Sequence, residues 1–122
     1  MFTDTKAFSG FAVDDVDKAR EFYGDTLGLR TSVENEILTL HIAGERPTLV
    51  YPKPDHRPAD YTILNFPVEE IEQAVDELVA RGVRFEHYEG FDQDERGIHR
   101  VGPPIAWFKD PAGNVLSVIQ LD

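Results

Sequence analysis

The chain has no cysteine. That excludes disulfides, thiolate metal ligands and a cysteine nucleophile, and it fits a reducing compartment. No apolar run approaches the ~18 residues that a membrane-crossing helix needs. Met1-Phe2-Thr3-Asp4-Thr5-Lys6 has no basic stretch leading into an apolar one, so no secretory leader is expected. The expected location is the cytoplasm. Positive charge is also scarce: 12 Lys and Arg stand against 23 Asp and Glu, a formal charge of −11. Phosphate backbones and anionic headgroups repel such a surface, so neither nucleic acid nor membrane is an expected partner. A cationic small molecule would be favoured, although the same charge also serves plain solubility.

What the chain does have is one short pattern written twice. Phe11-Ala12-Val13-Asp14-Asp15-Val16-Asp17-Lys18-Ala19 returns as Phe66-Pro67-Val68-Glu69-Glu70-Ile71-Glu72-Gln73-Ala74. Each copy ends a strand, turns on acids and starts a helix, and this predicts a duplicated module. With 122 residues and 41% apolar side chains, the chain is expected to form a single domain. Module one covers about 5–52, a linker 53–60, and module two about 61–121.

In module one, Lys6–Val13 reads as a strand and Asp14 or Asp15 as a helix cap. Val16, Ala19, Phe22, Tyr23 and Leu27 recur at helical spacing, and Gly28 suits the left-handed residue past the helix end. Leu29–Val33 and Ile37–Ile42 read as a hairpin around Glu34-Asn35-Glu36. Residues 43–47 turn the chain, and Thr48–Tyr51 is a fourth strand. The proline-rich stretch from Pro52 to Asp60 cannot be a helix or strand interior and reads as the linker.

Module two follows the same plan. Tyr61–Val68 is a strand, and a helix over about 69–81 has Ile71, Ala74, Val75, Leu78 and Val79 on one face. Val83–Tyr88 is a strand, and residues 89–104 form a long polar loop. Ile105–Lys109 and Val115–Leu121 form a hairpin closed by Asp110-Pro111-Ala112-Gly113-Asn114. Each half is then strand, helix and three strands, an α+β plan. Two such four-stranded sheets can curl together and shelter their bare faces as a cleft.

Val13-Asp14-Asp15-Val16-Asp17-Lys18-Ala19-Arg20-Glu21-Phe22-Tyr23, Leu27-Gly28-Leu29 and Trp107-Phe108-Lys109-Asp110-Pro111-Ala112-Gly113-Asn114 carry a resemblance that covers essentially the whole chain. It resembles the vicinal oxygen chelate superfamily, which holds glyoxalase I, extradiol dioxygenases and bleomycin-resistance proteins. The resemblance implies two βαβββ modules forming a curved eight-stranded mixed sheet, a cup, with helices outside. It also implies a homodimer. Enzymes of that family hold a divalent metal with four His, Gln or Glu side chains on the cup strands. Aligned on the motifs, those positions fall on Phe8, Ile63 and Ser117, with the fourth among Leu49, Val50 and Tyr51. Phenylalanine, isoleucine and leucine have no lone pair to donate, and neutral hydroxyls are weak substitutes. No metal or other cofactor is therefore expected.

The remaining polar and aromatic residues yield candidate contacts. His41 alternates with Thr39 and faces either cleft or solvent. His56 reads as a solvated linker residue, and the spacing of the four histidines shows no metal motif. His99 and Arg100 lie in the long loop. Either they reach into the cup, with His99 as the best acid–base candidate, or the loop is solvated and Arg100 pairs with a nearby acid. Asn65 lies two residues after Ile63, so both share one strand face, and if Ile63 lines the cup so does Asn65. Phe8, Tyr51 and Trp107 read as aromatic wall or as plain core. The leading expectation is a metal-free protein that holds an apolar, aromatic or cationic ligand through Phe8, His41, Tyr51, Ile63, Asn65, His99, Arg100, Trp107 and Ser117. The alternative is a glyoxalase-like lyase or isomerase, with non-standard metal ligands or with His99 as acid–base group. A third reading is a domain whose main role is association.

Overall fold

Of Asp14 and Asp15, the two expected caps, Asp15 begins the first helix: its backbone is extended and its side chain accepts the Lys18 amide at 3.1 Å. The computed structural model describes residues 1–44 and 46–122. Glu45, part of the expected turn over 43–47, lies outside the described residues. The chain divides into two compact units, Met1–Arg57 and Pro58–Asp122.

The first unit contains β1 (Gly10–Val13), α1 (Val16–Arg20), β2 (Arg30–Glu34), β3 (Ile37–His41) and β4 (Thr48–Pro52). The sheet order is β1-β4-β3-β2, with β1 parallel to β4 and the other pairs antiparallel. Leu38, Leu40, Val50 and Val13 fall on one face and are buried, with α1 against β3 and β4. Ala19 and Tyr23 are buried on the helix side, and Tyr23 packs on Phe11 with ring centroids 5.8 Å apart.

After Arg20 the helix widens over Glu21–Thr26, and the Leu27 amide reaches back five residues to the Phe22 carbonyl at 2.9 Å. Helical spacing alone did not predict this widening. Gly28 then takes φ 79°, the left-handed value expected there. β1 is shorter than the expected strand over Lys6–Val13. Its partner β4 starts at Thr48, and among the described residues Lys6–Phe8 pair with no strand.

The β2–β3 turn places both Asn35 and Glu36 at positive φ, 52° and 66°. That geometry matches the twist of a two-residue hairpin, but it suits glycine, not glutamate, at its second position. Glu36→Gly is therefore expected to raise stability by about 1 kcal/mol, read by urea unfolding. An unchanged midpoint would mean that Glu36 pays no backbone strain.

The second unit contains β5 (Thr62–Pro67), α2 (Ile71–Ala80), β6 (Ile105–Lys109) and β7 (Val115–Ile119). Its sheet runs β5-β7-β6, with β5 parallel to β7 and β6 antiparallel to it. The Gln120 side chain, just past β7, accepts the Ile71 amide at 2.9 Å and so caps α2 from the sheet. Ile71 and Val75 bury the inner face of α2, while Val79, placed on that face by spacing, is 53% exposed.

Asp110 holds the β6–β7 turn. Its carboxylate accepts the amides of Ala112 and Asn114 and the side-chain amide of Asn114, all within 3.0 Å. This is the Asp-Pro-x-Gly-Asn turn at work.

The expected strand over Val83–Tyr88 does not form. Its backbone meets β6 at the Phe85–Phe108 bridge and through the Glu86 amide on the Trp107 carbonyl, at 2.8 Å. The reason is Gln93. Its side chain accepts the Tyr88 amide at 2.7 Å and donates to the carbonyls of Glu86 and Gly97. A side-chain amide thus takes the backbone groups that a continuing strand would use. Seven strands in two mixed sheets result among the described residues.

Candidate functional site

In the second unit Asn65, Ser117 and Trp107 stand in register across β5, β7 and β6, on the face opposite Leu116, Phe108 and α2. Ser117 is fully buried and its hydroxyl donates to Asn65 Oδ1 at 2.5 Å. Asn65 Nδ2 is left with no hydrogen-bond partner among the described residues. The Trp107 indole N–H donates to Thr62 Oγ1 at 3.1 Å.

Strict alternation would have put Ile63 and Asn65 on one face. Instead the register shifts between Thr62 and Leu64, so Thr62 pairs with Val115 and joins the Asn65 row. A one-residue bulge is invisible in an apolar-polar pattern. Ile63 stands at the shift, without a partner in the β5–β7 register.

Around Trp107 stands an aromatic cluster. Ring centroids lie 5.7 Å away for Tyr88, 5.5 Å for Phe91 and 6.1 Å for His99. Phe91 also contacts His99 at 5.3 Å and remains 50% exposed. Edge-to-face geometry dominates, as aromatic quadrupoles prefer. Burial, with Glu86 adding to it, pushes the Tyr88 phenol up, so it stays neutral at ordinary pH. Tyr88, Phe91 and Thr62 were not singled out in the sequence. Tyr88 was assigned to a strand and Phe91 to a solvated loop, and nothing local marks their approach to Trp107.

His99 belongs to this cluster. Its Nδ1 lies 2.8 Å from the Asp92 carbonyl, which can only accept, so Nδ1 carries the proton. Nε2 has no hydrogen-bond partner among the described residues and is an acceptor in the neutral ring.

The loop that carries it is built, not slack. Ile98 is buried, the His99 backbone bridges Gln93 and Ile105, and Asp94 Oδ1 accepts the amides of Arg96 and Ile98. Gly97 takes φ 88° where a Cβ would stand 3.3 Å from the Glu86 carbonyl oxygen. Two arginines fasten the loop to α2. Arg96 grips Asp76 with two bonds of 2.8 and 3.0 Å, and Arg100 bonds Glu72 at 3.0 Å and Asp94 at 3.1 Å. Arg100 is thus drawn to α2 and Asp94, not to the aromatic cluster; adjacent backbone positions send His99 and Arg100 to different neighbours.

The acids of this clasp titrate below their ordinary range. For Asp76 the Arg96 hydrogen bonds are the main cause, and for Glu72 its own backbone amide and then Arg100. Burial pushes the Asp94 carboxyl up, but the Ile98 amide, Arg100 and the Arg96 amide together hold it down. Lowered folded-state values mean that the clasp contributes fully above the ordinary carboxylate range, near ~4. It is lost as pH falls through the lowered values. Amide exchange over residues 94–100 is therefore expected to quicken in acid before the β7 amides do. Simultaneous loss of protection would show that the clasp does not hold the loop separately.

The other candidates lie in the first unit or at its end. Phe8 precedes β1 and is 59% exposed. Tyr51 on β4 is exposed, and His41 on β3 is exposed with Nε2 2.8 Å from Ser32 Oγ. His56 was expected to be solvated. Its Nε2 is instead shielded from solvent, without a hydrogen-bond partner among the described residues.

The family model of the glyoxalase, bleomycin resistance protein and dioxygenase superfamily matches residues 7–118. The chain belongs to that superfamily. No curated protein matches it. Among solved structures, a glyoxalase family protein from Enterococcus faecalis is similar at TM-score 0.68 and 21% identity, with 98% of both chains covered. TnmS3, an antibiotic binding protein from Streptomyces sp. CB03234, is similar at TM-score 0.65 and 21% identity, covering 93% of this chain and 94% of its own. Fosfomycin resistance protein FosX from Mesorhizobium loti gives TM-score 0.65 at 8% identity, covering 93% and 89%. At these identities the likeness is one of fold.

The metal of the superfamily's enzymes does not fit the residues present. Phe8 and Ile63 offer no donor atom, and the Ser117 hydroxyl is committed to Asn65. Among the described residues no three His, Asp or Glu side chains converge. No helix among them is long and apolar enough to cross a membrane.

Proposed function

We propose that this superfamily member is a metal-free binding protein for a small apolar or aromatic molecule, cationic ones included. The observation that carries the reading is the aromatic face built from Trp107, Tyr88, Phe91 and His99. It offers flat apolar area with few polar points: the Asn65 amide, the Thr62 hydroxyl and His99 Nε2. Aromatic faces also attract cations, and the formal charge of −11 steers them. Relatives named as antibiotic-binding and resistance proteins support a small molecule as the ligand class. Ile63 and Ser117, on the neighbouring strands of the same unit, are proposed as wall. Sequestration needs no nucleophile, acid or base.

Trp107 is the sole tryptophan, so intrinsic fluorescence reports directly on this face. Titration with planar aromatic amines is expected to quench it saturably, with the compound recovered unchanged. Native mass spectrometry with elemental analysis, on freshly purified protein, is expected to show ligand without stoichiometric metal, in a homodimer. Chemical turnover of the bound compound, or stoichiometric metal, would sink the reading.

One observation favours an enzyme instead. His99 has its Nδ1 proton fixed by Asp92, which leaves Nε2 as a base beside the aromatic face. In that reading the protein is a glyoxalase-like lyase or isomerase, and His99→Gln abolishes turnover while ligand still quenches Trp107. Turnover that survives the substitution removes His99 from the role.

A further inference from the structure

The first unit carries a second groove of a different chemical character. It measures about 650 Å³ and lies among the end of β3, the start of β2 and the approach to β4. Arg30, His41 and Arg46 line it, over apolar surface from Leu29, Ile42 and Pro47. None of the described residues lining it is acidic, in a chain with nearly twice as many acids as bases. The sequence places Glu45 next to Arg46.

Arg30 and His41 are direct cross-strand partners. Side chains directly opposite each other on neighbouring strands are close enough to reach one ligand together. Arg81, Arg96 and Arg100 all sit against carboxylates. Arg30 has no such partner among the described residues, and Arg46 reaches only the Ala7 carbonyl, at 3.4 Å. Ser32 Oγ holds the His41 ring at Nε2. In the tautomer where the serine donates, His41 Nδ1–H is a further donor.

We infer that this groove is an anion site, taking a small molecule with a carboxylate or phosphate on an apolar body. The guanidinium groups of Arg30 and Arg46 pair with the oxyanion, and Leu29, Ile42 and Pro47 pack on the body. Guanidinium is the side chain best matched to planar oxyanions. The site is separate from the Trp107 face in composition and in the charge it selects.

The test is an amide NMR titration of the whole chain with three probes: benzoate, inorganic phosphate and benzylamine. Benzoate is expected to shift the amides of Leu29, Arg30, His41 and Gly44 saturably. Benzylamine, of the same shape and opposite charge, is expected to leave them in place. Phosphate acting on the same amides more tightly than benzoate would assign the ligand to the phosphate class; the reverse order assigns it to the carboxylates. Arg30→Gln and Arg46→Gln are each expected to weaken anion binding about tenfold or more. Both side chains are exposed, so the variants keep the fold, which the unchanged remaining spectrum checks. The inference is overturned if neither anion shifts these amides, if benzylamine matches benzoate, or if both variants bind as the parent does. These amides report on the first unit, so the outcome is independent of the Trp107 fluorescence.

Discussion

Phe108→Ala is expected to lower the free energy of unfolding by about 3–5 kcal/mol. Phe108 has no exposed surface, sits on the helix side of β6 and packs against Phe85 at 5.4 Å and 59°. Truncation removes the transfer energy of the ring and leaves a cavity between β6 and the segment at Phe85. No strand ladder holds that segment to β6; it is tied there by one bridge, the Glu86–Trp107 backbone bond, the Glu86–Lys109 ion pair and the Tyr88 ring on Trp107. Domains of this size are typically stable by only ~5–15 kcal/mol, so the loss is a large share of the total. Urea unfolding reads it as a lower midpoint at unchanged slope. Phe108→Leu, which restores most of the volume, is expected to recover most of the loss. A cost for the alanine variant under ~1 kcal/mol would mean the site collapses onto the gap.

Trp107→Ala, one residue away, is expected to act on binding first. Its side chain stands on the other face of β6, is half-buried, and is the member of the aromatic cluster in contact with Tyr88, Phe91 and His99 alike. Removing it should weaken an aromatic ligand by about 2 kcal/mol or more, roughly thirtyfold, as for other buried aromatic anchors. Calorimetry is the measurement, since the variant loses its fluorophore. The stability cost should be smaller than for Phe108. Binding within threefold of the parent would move the ligand off this face.

These neighbours show how far a sequence pattern reaches. Alternation along Ile105–Lys109 separates Trp107 from Phe108 without any coordinates. The same logic puts Leu38 and Leu40 on the face opposite His41, and a helix cap at Asp14 or Asp15, of which the structure uses Asp15. It fails where one residue is inserted or one side chain competes with the backbone. The bulge after Thr62 moved Thr62 onto the Asn65 face. Gln93 dissolved the strand expected over Val83–Tyr88. Neither event changes composition or periodicity, so neither leaves a local trace.

The sequence by itself determined the duplicated strand–helix plan, the acidic surface, the Asp110 turn and the absence of donor atoms at Phe8 and Ile63. These are properties of single residues and short repeats, readable because capping, turning and ligating depend on local chemistry. Only the tertiary structure decided that Tyr88, Phe91 and His99 gather on Trp107, that Arg100 serves α2, and that Arg30 and His41 share one groove with Arg46. Those are meetings of residues far apart in the chain. They depend on register, on one bulge and on which side chain captures which backbone group, and a one-dimensional pattern does not encode them.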